Sequence, residues 1–132
     1  KRRWFAVMGG LLVAGFLVLV WVLGPVVATS PAALLLVVGG LLFVIGGFDP
    51  IPDRVPWYRF IGMGELLVGA VFVLGLVTPV LQGGRTSQDL FLAIVGVANG
   101  LFLGFIGLDW YRGGHHYDLS RFEPGPIFGA EE

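Results

Sequence analysis

Four apolar runs, Trp4–Leu23, Pro31–Phe48, Phe60–Leu81 and Leu90–Leu108, take up well over half of this chain, and Glu65 is the one ionisable residue inside any of them. The hydrocarbon core of a bilayer is about 30 Å thick and an α-helix rises about 1.5 Å per residue, so ~20 mostly apolar residues cross it. Each run is close to that length. Hydrophobic residues make up 56% of the chain and charged ones only 13%, about half the ~25% charged share of soluble domains. The expected fold class is therefore all-α, a polytopic membrane protein built as a four-transmembrane-helix bundle. Residues 1–112 form the membrane domain, and residues 113–132 form a C-terminal tail too short to be a domain of its own. The ~10-residue alternating segments of a membrane barrel are not visible.

Local signals place the ends of the helices. The first run is too long for a signal-peptide core, which spans ~7–15 residues, so it reads as a retained helix with Trp4 and Trp21 at opposite interfaces. Gly24-Pro25 stops it. Thr29-Ser30-Pro31 supplies a cap followed by proline at the first helical position, where the missing N–H costs nothing. Between Asp49 and Pro56 three prolines make a stiff connector, followed by the aromatic cluster Trp57, Tyr58 and Phe60. Gln82-Gly83-Gly84-Arg85 is a turn, and Thr86 or Ser87 with Asp89 caps the fourth helix.

Four spans put both termini on one side. Lys1, Arg2, Arg3, Arg54, Arg59, Arg112 and Arg121 fall on that side and Arg85 alone on the other, so the positive-inside bias makes both termini cytoplasmic in a multi-pass protein of the cell membrane.

Lipid tails are as apolar as leucine, so close approach at small residues holds such helices together. Gly96, Gly100 and Gly104 form a stripe on the fourth helix, with Gly107 beyond it. In the second helix Gly39 and Gly46, and likewise Gly40 and Gly47, recur seven apart; these glycines are expected to dock on that stripe. Gly10 and Ala14 offer a similar face on the first helix. The expected partners are the lipid bilayer and other transmembrane helices, in a homo- or hetero-oligomer.

The candidate polar site is Glu65 with Asn99. A carboxylate in hydrocarbon costs on the order of 3 kcal/mol, and Glu65 shares a face with Gly62 and Gly69, which points it inward. Asn99, at the centre of the fourth helix, is expected to bond another helix and to lie opposite Glu65. His115-His116-Tyr117-Asp118 reads as a solvated stretch of tail, since adjacent imidazoles lack the i, i+4 spacing of helical zinc sites. Asp49 and Asp53 lack the ligand density and glycine of a calcium loop. With no cysteine in the chain and no histidine in a span, neither a haem nor an iron–sulfur cluster is expected, and no metal or other cofactor is read from the sequence. There is no basic stripe for nucleic acid and no catalytic motif. The expected role is a non-catalytic accessory or structural subunit of a larger membrane assembly, respiratory or transport; the alternative is a small homo-oligomeric transporter or channel with Glu65 and Asn99 in its pathway.

Overall fold

The computed structural model describes residues 1–48 and 54–122, so Asp49 and Asp53 lie outside the described residues. It is all-helical, and four helices are long and apolar enough to cross a bilayer: α1 (Arg3–Leu23), α2 (Pro31–Phe48), α3 (Trp57–Leu81) and α4 (Ser87–Tyr111). Short 3-10 turns follow α1 at Pro25–Thr29 and close the described chain at Leu119–Phe122.

The caps explain the boundaries. The Ser30 hydroxyl accepts the Ala33 N–H at 3.1 Å and so caps α2. Thr86 and Asp89 make a reciprocal capping box, each side chain accepting the other's backbone N–H at 3.1 Å, which satisfies two of the donors a helix start leaves orphaned. Both α3 and α4 begin a turn ahead of their apolar runs. α3 starts at Trp57 because Pro56, at ψ 139°, is not helical and serves as its N-cap residue; Trp57 is then already helical and turns its ring into the core. At its far end α3 passes through Pro79. A proline in the last turn forfeits only one backbone bond, and the Thr78 hydroxyl donates to the Leu74 carbonyl alongside.

The helices pack in chain order, α1 on α2, α2 on α3 and α3 on α4, as short antiparallel connections favour. This order corrects the expected glycine pairing. The α4 stripe docks on α3: a methyl at Gly96 would meet Leu76 Cβ at 2.7 Å and the Phe72 carbonyl at 2.8 Å, and one at Gly100 would strike Val73 and the Gly69 carbonyl. The glycines of α2 serve two different neighbours. Gly39 and Gly46 face Gly64, Ile61 and Trp57 of α3, whereas Gly40 and Gly47 face Gly9, Val13 and Ala6 of α1. Residues one apart on a helix point about 100° apart while residues seven apart share a face, so two adjacent glycine pairs give α2 two smooth sides. On α1 the close approach is at Gly9, against the Gly40 carbonyl, and Gly10 meets nothing within 4 Å.

Where α1 and α4 come together, they do so through aromatic side chains. Phe5 lies 5.3 Å from Trp110 and 6.5 Å from Trp57, ring centre to ring centre. Phe43, Trp57, Ile61, Trp110 and Leu119 form the buried core at this end of the bundle, the end that holds the starts of α1 and α3 and the ends of α2 and α4.

Two neighbouring α4 glycines should respond oppositely to alanine. Gly104 has nothing within 4 Å of an added Cβ, while one at Gly107 would sit 2.6 Å from the Gly62 carbonyl and 2.9 Å from Glu65 Cβ. Gly104→Ala should be neutral or raise stability by up to ~1 kcal/mol, and Gly107→Ala should cost about 1–3 kcal/mol through overpacking. Thermal unfolding in detergent checks this, and equal shifts in the two variants would contradict the α3–α4 contact.

Candidate functional site

The glycine contacts set the register of α3 against α4 and with it the place of Glu65. Gly62 and Gly69, one turn to either side of Glu65, both rest on α4, against Gly107 and Tyr111 and against Gly100 and Leu103. Glu65 is half-buried beside Gly107. It also lies four residues after Ile61 and three before Val68, which belong to or pack against the core, so it flanks the inner face of α3. Among the described residues no hydrogen bond or ion pair reaches its carboxyl.

Asn99 is not brought to it. Eight residues, about 12 Å along α4, separate Asn99 from Gly107, and the Asn99 amide donates instead to the Val95 carbonyl of its own helix at 2.8 Å. The expected Glu65–Asn99 pair is therefore absent, because the glycine register puts the two at different depths. Asn99 is exposed although it is the middle residue of α4. It lies seven residues, two turns, from Ile106, which packs against the core, and so shares its inner face.

α4 packs on α3 and makes no comparable contact with α1, which leaves the rest of its surface uncovered. The same inner face of each helix is covered at the aromatic end and bare toward the other. On α1, Leu12 packs against the core while Leu19, two turns on, is 46% exposed. On α4, Ile106 packs and Phe102 one turn away is 58% exposed. Rings join α1 to α4 at one end of the bundle; toward the other the seam between these two helices is unpacked, and Asn99 is among the exposed residues of α4.

A second polar feature lies at the closed end. Asp109 is almost fully buried at the end of α4. Its carboxylate accepts the backbone N–H groups of His115, His116 and Tyr117 at 3.1–3.2 Å and contacts His116 Nδ1 at 2.8 Å. Gly113 and Gly114, at φ 103° and 73°, turn the chain through left-handed conformations to reach it. Residues 113–122 thus fold back as a strap. Leu119 enters the core, and Phe122 packs 5.3 Å from Trp110 and 5.5 Å from Phe5. This corrects the picture of a solvated tail: the imidazoles of His115 and His116 remain exposed, but their backbone is tied to the bundle. Farther along, the Ser120 hydroxyl and amide hold the exposed Asp118 carboxyl below its usual range. Leu119 and Phe122, spaced three apart in the mostly polar stretch that follows Gly113-Gly114, were the available signal for the strap.

The Trp110 indole N–H is buried in this cluster without an acceptor among the described residues. No three His, Asp or Glu side chains among them come together as a metal site.

Residues 1–123 match a family of unknown function (DUF7994), and the chain belongs to that family. No curated protein and no solved structure matches it.

Replacing Asp109 by leucine should release the strap, because three part-buried amides lose their acceptor at about 1–3 kcal/mol. Hydrogen exchange at residues 115–117 should quicken by at least ~10-fold, with the middle turns of α3 and α4 unchanged; unaltered exchange would mean that the carboxylate does not hold the strap.

Proposed function

We propose that this chain is a small, non-catalytic integral membrane subunit that joins a larger assembly by taking another transmembrane helix along the α1–α4 seam. One observation carries the reading. Asn99 sits in the middle of a membrane-length helix, exposed, with its carbonyl oxygen and second N–H unpartnered among the described residues. In hydrocarbon there is no water to satisfy them, and a polar side chain from a neighbouring helix does so. The half-buried Glu65 carboxyl, nearer the aromatic end on α3 and likewise without a donor among the described residues, supports the same reading. The exposed Leu19 and Phe102 supply apolar surface for the incoming helix.

The charge distribution supports an orientation with the aromatic end in the cytoplasm of a cell-membrane protein. Lys1, Arg2, Arg3, Arg54, Arg59, Arg112 and Arg121 belong to that end and Arg85 to the other, the bias that sets topology in short loops.

The native chain contains no cysteine, so single introduced thiols report cleanly. Asn99→Cys in native membranes should give cross-linked species larger than the monomer, and Asn99→Leu should weaken association roughly fivefold, the equivalent of about 1 kcal/mol for one interhelical amide bond. Absence of cross-links, with a lone monomer in mild detergent, would end the reading. In oriented vesicles, Arg85→Cys and Arg121→Cys should label from opposite faces, the second from the cytoplasmic one; labelling from the same face would refute the topology.

A further inference from the structure

The strap builds a groove at the closed end of the bundle. Trp4, Phe5 and Met8 are spaced i, i+1 and i+4 and line one side of the start of α1, with Lys1 just ahead of the helix. Phe122 of the strap stands opposite them, and the space between is about 600 Å³, within the ~300–1,000 Å³ range of small-molecule sites. Its walls are aromatic rings and a thioether, and Lys1 is the charged residue on its rim among the described residues. Trp4 and Met8 are 67% and 49% exposed, so the groove opens outward from the bundle.

We infer that this groove is a binding site for an anionic phospholipid, one acyl chain lying along Trp4, Met8, Phe5 and Phe122 and the phosphate-bearing headgroup beside Lys1. Three features select that occupant. The groove starts at the basic end of the bundle, where a tryptophan and a lysine at the start of a membrane helix sit at headgroup depth. Its interior is apolar and lined partly by methionine, which adapts to a flexible chain. The rim charge complements an anionic headgroup, and a basic residue near such a surface is worth about 1 kcal/mol. The Phe122 wall stands only while the Asp109 carboxylate holds the strap closed, so the groove and the strap form together. This inference needs insertion in a bilayer but not the seam partner.

Trp4 is a reporter inside the site. The purified protein, reconstituted in phosphatidylcholine vesicles, is titrated with phosphatidylglycerol or phosphatidylcholine brominated on the acyl chain, and Trp4-specific quenching is taken as the difference between the native chain and Trp4→Phe. Half-quenching should require about fivefold less of the anionic lipid, the ratio that ~1 kcal/mol gives. Lys1→Gln, an exposed change that leaves the fold intact, should bring that ratio close to one, and Phe122→Ala should raise the amount needed of both lipids. Inorganic phosphate should leave the quenching unchanged. Equal quenching by the two lipids, a preference that survives Lys1→Gln, or displacement by inorganic phosphate would each overturn the proposal.

Discussion

Backbone-to-backbone contact at glycine is the interaction on which the rest of this structure depends. Where there is no water between helices to expel, attraction comes from van der Waals contact, and that contact requires surfaces without side chains in the way. α2 meets the requirement twice, with Gly40 and Gly47 toward α1 and Gly39 and Gly46 toward α3. α3 repeats it toward α4 at Gly62 and Gly69. The depth of every other side chain follows from these contacts, including the placement of Glu65 beside Gly107 and of Asn99 two turns farther along.

The aromatic end uses different physics. Phe5, Phe43, Trp57, Trp110 and Phe122 gather ring against ring at 5.3–6.5 Å, tilted or edge-on as the ring quadrupoles favour. Five rings drawn from α1, α2, α3, α4 and the strap make the one place where all parts of the described chain converge. The strap is polar where it is anchored, at Asp109, and apolar where it inserts, at Leu119 and Phe122. Glycine contact spaces the helices, and ring contact ties the first to the last.

The four helices were legible because a long apolar run has few alternatives, and the caps at Ser30 and Thr86 because their hydrogen-bonding logic is local. The glycine spacing was equally visible, but its partners were not. Spacing identifies a smooth face without saying which helix meets it, and chain order decided in favour of neighbours over the α2–α4 match. The Glu65–Asn99 pair failed for a related reason. A carboxylate and an amide on adjacent antiparallel helices look paired until register is known, and register came from Gly62 against Gly107 and Gly69 against Gly100. The strap was hidden because its anchor, Asp109, lies at the edge of an apolar run, where a charge is ordinary, and because its acceptor role involves backbone groups that carry no sequence label.

The row-like order of the helices bears on how the chain is made. Each of α2, α3 and α4 docks on the helix immediately before it, so each pair can close as soon as its second member leaves the ribosome, with little loop entropy to overcome. Nothing in those three contacts waits for distant sequence. The ring cluster is different, since Phe5 meets Trp110 and Phe122 only after more than a hundred further residues have been synthesised. The bundle can thus assemble vectorially, and the strap works as a clasp fastened after the four helices have paired.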